Sequence, residues 1–133
     1  MTTILSSKDR LIFALDVPDK SEAQRLVKLL RDSVGCFKVG LELFVREGPD
    51  ILKLIKDHSS AEIFLDLKLH DIPATVRGAL RSAAKLGVKY ITIHSTEGEA
   101  ILEASKEVQD SGLEVLAVTI LTSMGDAQLH DLG

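Results

Sequence analysis

The sequence holds a single cysteine, Cys36, so no disulfide can form within the chain. That fits a reducing compartment. Positive charge is also in short supply. Sixteen Lys and Arg stand against twenty Asp and Glu, a net charge of -4. This removes the electrostatic case for nucleic acid or for an anionic membrane surface. A phosphorylated small molecule is not excluded, because it needs only a local cationic site. No apolar run reaches the roughly 18 residues of a membrane span, and Met1 to Arg10 lacks the apolar core of a signal peptide. Low-complexity segments, linkers and a Cys/His metal-ligand cluster are missing as well. These absences lead us to expect a cytoplasmic protein with no nucleic-acid or membrane partner.

What is present is a core-forming composition and a rhythm. The hydrophobic share is 45% and the charged share 27%, as in a soluble globular domain. Short β-branched runs begin near Leu11, Cys36, Glu62, Lys89 and Glu114, roughly 26 residues apart. Segments of helical period lie between them. Such alternation argues for parallel βαβ units in an α/β fold. The segments share pattern but not residues, so this is no solenoid.

The helix ends are legible. The first is expected after Asp19, with Glu22 three residues on as in a capping box. Its apolar stripe is Ala23, Leu26, Val27 and Leu30, and Gly35 follows the stop. The second opens at Gly48-Pro49-Asp50, with Pro49 suited to the first turn. The third opens at Pro73 and stops at Gly87. The fourth runs from about Glu97 to Gln109, and Gly125 to Gly133 begins a further helix. The expectation is five strands and four complete helices. A closed (β/α)8 barrel needs about 200 residues or more. The chain therefore reads either as a small open α/β sheet or as the front part of a barrel. Periodicity does not choose between them.

The third strand carries the chemistry. Strand side chains alternate between faces. Ile63, Leu65, Leu67 and Leu69 form an apolar face for the helices, while Phe64, Asp66, Lys68 and His70 share the other. A buried parallel strand normally reads as continuous Val, Ile and Leu. Buried charges cost several kcal/mol each unless paired. Such clusters concentrate at functional sites; the alternative is a structural Asp66–Lys68 ion pair with His70 as a cap. Asp71 has the opposite parity and lies where the strand ends, free to point elsewhere.

Other strands repeat the anomaly. We expect the second to run from Cys36 to Phe44, with Lys38, Gly40 and Glu42 on the inner face. Lys38 is then an inner-face cation with Gly40 leaving room beside it, or else a snorkelling lysine. The first strand, Leu11 to Val17, sets Asp16 near its carboxyl end. There Asp16 serves a site or caps the first helix. The fourth pairs Thr92 with His94, which reads as a core or rim histidine. The fifth, Val115 to Leu121, ends in Thr122 and Ser123, hydroxyls that bind a ligand or cap the next helix.

Four blocks together resemble the bacterial type of orotidine 5'-monophosphate decarboxylase. They are Leu11-Ile12-Phe13-Ala14-Leu15-Asp16-Val17, Phe37-Lys38-Val39-Gly40-Leu41-Glu42-Leu43-Phe44, Phe64-Leu65-Asp66-Leu67-Lys68-Leu69-His70-Asp71-Ile72-Pro73 and Val118-Thr119-Ile120-Leu121-Thr122-Ser123-Met124. The third is the most specific. A bare Asp-x-Lys-x-x-Asp is shared with sugar-phosphate relatives, 3-keto-gulonate 6-phosphate decarboxylase and hexulose 6-phosphate synthase. The resemblance covers nearly the whole chain. It implies a (β/α)8 TIM barrel of which residues 1–133 are the N-terminal part of a single domain.

The resemblance further implies a homodimeric enzyme, free of metal and cofactor, that converts orotidine 5'-monophosphate to UMP and CO2 in pyrimidine biosynthesis. Lys38, Asp66 and Lys68 would belong to a charge array, with Lys68 as proton donor to C6. Asp71 would join the array from the second subunit, and Thr75 would reach across with it. Asp16 and Lys38 would hold the ribose, and Thr122 or Ser123 would touch the pyrimidine. The family's later strands, with the phosphate-gripping loops, have no counterpart here. Two alternatives stand beside this reading: a sugar-phosphate sister enzyme using Mg2+, and a half-barrel inactive on its own.

Overall fold

Five short segments rich in β-branched and aromatic residues form one sheet in which every pairing is parallel and the order follows the chain. The computed structural model describes residues 5–96 and 98–132. The strands are β1 (Ile12–Ala14), β2 (Cys36–Gly40), β3 (Glu62–Leu69), β4 (Tyr90–His94) and β5 (Glu114–Val118). Sequential parallel neighbours joined by helices are the arrangement that a β/α barrel requires.

The helices are α1 (Lys20–Leu30), α2 (Leu41–Glu47), α3 (Asp50–His58), α4 (Pro73–Lys85), α5 (Glu99–Ser105) and α6 (Asp126–Asp131). The N-terminus of α1 is set by chemistry. Asp19 is extended, and its carboxylate accepts the Glu22 N–H at 3.0 Å, satisfying one orphan donor of the first turn. The Glu22 carboxylate pairs with Arg25. Pro73 opens α4, where its missing N–H costs nothing.

The helices cover one face of the sheet. Phe37 and Val39 of β2, Ile63 and Leu65 of β3, and Ile91 and Ile93 of β4 are buried against them. Ala23, Val27, Ile51, Ile55, Val76 and Leu80 supply the helical side. Each large apolar side chain buried here contributes roughly 1.5–3 kcal/mol. The opposite face carries Lys38, Phe64, Asp66, Tyr90 and Thr92. At the sheet's margins Ile12, Ala14 and Leu116 are exposed.

Several expected boundaries move. β1 is shorter than Leu11 to Val17. β2 ends at Gly40 rather than Phe44, because Leu41–Glu47 coils into α2. Leu41 and Val45 of that helix are exposed and Leu43 is buried. Among the described residues there are thus six helices instead of four and a stub. Pro49 caps α3 instead of sitting inside it. β5 stops at Val118, short of Leu121. The fourth expected helix is α5 followed by a 3-10 turn, Lys106–Val108, which keeps Ile101, Ala104 and Val108 inward. Its expected start, Glu97, lies outside the described residues, as does Gly133. No helix among the described residues is long and apolar enough to cross a membrane.

Candidate active site

The carboxyl ends of β1, β2 and β3 bring four charged side chains into one row. Lys38, on β2, points its Nζ between two carboxylates, 3.1 Å from Asp16 and 3.8 Å from Asp66. Asp66, on β3, is held in turn by Lys68, whose Nζ lies 2.9 Å from each carboxylate oxygen. The order Asp16–Lys38–Asp66–Lys68 alternates in sign. The register explains it, since Ala14 pairs with Lys38 and Gly40 with Asp66.

Burial grades along the row. The side chains of Asp66 and Lys38 are only 13% and 20% exposed, whereas that of Asp16 is 71% exposed. Lys38 does not snorkel to solvent. It sits in the cleft, and Gly40 makes the room. A methyl group on Gly40 would stand 3.4 Å from the Lys38 Nζ and 3.6 Å from Asp16 Oδ1. Burial pushes the Asp66 carboxyl upward. Hydrogen bonds from Lys68 and Thr92, with the charges of Lys68 and Lys38, outweigh it and hold Asp66 below the usual carboxylate range. Asp66 is therefore an anion at neutral pH. Asp16 is no helix cap, because Asp19 takes that place.

Lys68 departs from the strand alternation read from the sequence. Its φ is +47°, the left-handed region, which costs a non-glycine residue roughly 1–3 kcal/mol. The β3–β4 register shifts at the same point: Leu65 pairs with Ile91, but Leu69 pairs with Ile93. Bulges of this kind re-aim side chains beside active sites. The Lys68 N–H donates to Thr92 Oγ1 at 2.9 Å, and the Thr92 hydroxyl donates to Asp66 Oδ1 at 2.7 Å. The sequence sets Thr92 in the fourth strand and does not mark it as a site residue. A lone threonine in a strand gives no signal for such a role.

The remaining candidates lie elsewhere. Asp71 is exposed, and its Oδ1 accepts the Ile72 N–H at 2.7 Å. Thr75 is exposed in the first turn of α4. Thr122 and Ser123 sit exposed in a turn after β5, and Gly125 takes the cap position of α6, so neither hydroxyl caps it. The His70 and His94 rings meet with centroids 4.8 Å apart. Burial, aided by the Glu62 charge, pushes the Cys36 thiol up to about 11, which makes it a poor nucleophile. Among the described residues no group of three or more His, Cys, Asp or Glu is placed to hold a metal ion.

The row faces a cleft of about 260 Å³ lined by Asp16, Lys38, Gly40, Asp66 and Lys68, with Leu15 and Leu67 among its apolar walls. Complete small-molecule pockets hold roughly 300–1,000 Å³, so this cleft suits part of a ligand. Five sequential parallel strands with ionisable groups at their carboxyl ends define the class: an α/β chain of the TIM-barrel type.

Comparison with known proteins narrows the class. The profile of the orotidine 5'-phosphate decarboxylase / HUMPS family matches residues 9–133, and the chain belongs to that family. A relative named orotidine 5'-phosphate decarboxylase from Desulfosudis oleivorans is 50% identical over 127 residues, covering 95% of this chain and 51% of its own length. One of the same name from Syntrophotalea carbinolica is 44% identical, with 98% and 56% covered. The chain spans about half the length of the curated relatives it matches, in line with the N-terminal half of their barrel. Among solved structures, the Methanocaldococcus jannaschii orotidine 5'-monophosphate decarboxylase superposes with a TM-score of 0.80 at 32% identity, covering 89% of this chain and 58% of that one. The Lactobacillus acidophilus enzyme gives 0.78 at 34% identity, with 92% and 58% covered.

Proposed function

We propose that residues 1–133 form the front part of a single barrel domain that decarboxylates orotidine 5'-monophosphate to UMP and CO2. The reading places it in the cytoplasm, acting as a homodimer without metal or cofactor. The observation that carries it is the alternating row Asp16–Lys38–Asp66–Lys68 along a cleft at the strand ends.

The chemistry asks for such a row. When the bond between C6 and the carboxylate breaks, the electron pair stays on C6 and CO2 departs. The resulting vinyl-type carbanion is poorly delocalised. A fixed ammonium stabilises that charge and then gives C6 a proton. Lys68 takes this role, oriented by its contacts to both Asp66 oxygens. Asp66, held ionised, stands near the departing carboxylate, where their repulsion relaxes as CO2 leaves. Lys38 keeps Asp66 and Asp16 oriented and, with Asp16, holds the ribose hydroxyls. Thr122 and Ser123 follow β5 and contact the pyrimidine. Asp71 and Thr75, exposed around the start of α4, complete the array of a second copy.

The test is decarboxylation by a chimera of this chain fused to the C-terminal half of the Desulfosudis oleivorans relative. Turnover of orotidine 5'-monophosphate, undiminished by EDTA, is expected. A folded chimera with no turnover overturns the reading, and turnover only with Mg2+ overturns its metal-free chemistry.

A further inference from the structure

We propose that Thr92 is a positioning residue, a clamp whose single hydroxyl sets both the Lys68 backbone and the Asp66 carboxylate for catalysis. The catalytic consequence rests on the function proposed above; the positioning itself does not.

Thr92 lies mid-strand in β4 and is 5% exposed, the buried polar residue of the described core. Between the pairs Leu65–Ile91 and Leu69–Ile93, three residues of β3 (Asp66, Leu67 and Lys68) stand opposite Thr92 alone. A regular ladder cannot satisfy such a stretch. The Lys68 N–H goes to the Thr92 hydroxyl oxygen at 2.9 Å. The same hydroxyl spends its only proton on Asp66 Oδ1 at 2.7 Å. Its one donor and one of its two acceptor positions thus go to the two residues of the central ion pair. The left-handed turn at Lys68 is held by this contact, and that turn decides where the Lys68 side chain leaves the strand.

The β-branch adds stiffness, since threonine has few χ1 choices in a strand. Valine has the same shape but offers no hydrogen bond, so it cannot hold either partner. Serine offers both bonds. A residue that merely filled the bulge would be replaced well by valine and poorly by serine; a clamp predicts the reverse.

The experiment compares Thr92→Val and Thr92→Ser in the same chimera. It reads kcat and KM, the Asp66 carboxyl titration by 13C NMR, and exchange of the Lys68 amide. For Thr92→Val we expect kcat to fall about tenfold or more with KM within about twofold. The Asp66 titration should move upward, and the Lys68 amide should lose protection. Thr92→Ser should restore all three. Unchanged Asp66 titration and Lys68 exchange in Thr92→Val overturn the clamp, whatever the activity. A kcat that stays within twofold in an active chimera overturns its catalytic consequence. Should Thr92→Val not fold, Thr92→Ala removes the hydroxyl without adding bulk and carries the same outcomes. If the parent chimera has no decarboxylase activity, the functional reading fails while the NMR readouts still decide the clamp.

Discussion

Asp66 is the pivot of the row. It touches Lys38, Lys68 and Thr92 at once, and these partners hold its carboxyl below the ordinary value of 3.8. The sign of the linkage follows. A carboxyl whose folded-state pKa is depressed binds fewer protons than its unfolded counterpart. Its contribution to stability is complete above the unfolded value and is lost as pH falls through the folded one. Acid titration of stability from about pH 5 downward should therefore be steeper in the parent than in Asp66→Asn. Equal slopes would show that the Asp66 contacts do not stabilise the fold. At neutral pH, Asp66→Asn should be less stable than the parent, because Lys68 then loses its anionic partner and Lys38 keeps only the exposed Asp16.

At the scale of elements, the sharpest constraint lies where the chain enters β2. A methyl group on Gly35 would stand 2.5 Å from the Asp9 Cα and 2.8 Å from the Lys8 carbonyl oxygen. These are backbone atoms and cannot swing aside. Gly35→Ala should cost about 1–3 kcal/mol, seen as a lower denaturant midpoint; an unchanged midpoint would mean that the 3-10 turn Lys8–Arg10 gives way freely. The strand rhythm, the Asp19 cap and the Pro73 start were legible in the sequence, because each is a local signal. The sequence also brings Asp66 and Lys68 together, although Lys68 reaches Asp66 through a left-handed turn and not by regular alternation. The end of β2 was not legible. Leu41-Glu42-Leu43-Phe44 alternates like a strand, yet its leucines and glutamate suit a helix equally, and burial of Leu43 decides. Nor were the bulge at Lys68 and the role of Thr92 legible. Both arise from how β4 faces β3, a relation between strands that no stretch of either one encodes.

The molecule as a whole presents a sheet covered on one face. Within the described residues its order ends at β1 and β5, whose outer backbone groups have no strand partner in the sheet. Ile12, Ala14 and Leu116 lie open on the uncovered face. Open edges beside exposed apolar residues invite pairing with another chain. The 133-residue chain on its own should associate at micromolar concentration in analytical ultracentrifugation, and Leu116→Lys should weaken that association. A well-dispersed monomer would show that the open face tolerates water. The same open face accords with a cleft of about 260 Å³ that suits only part of a ligand.

In the proposed reaction Lys68 acts on the reacting carbon, and Lys68→Ala in the chimera is the variant that decides it. Single-turnover decarboxylation by that variant is measured beside UMP binding. We predict a fall in rate of at least about 10²-fold, with binding retained closely enough to show an intact cleft. A rate within a few fold of the parent would remove Lys68 from the reaction and move the proton donor elsewhere in the cleft.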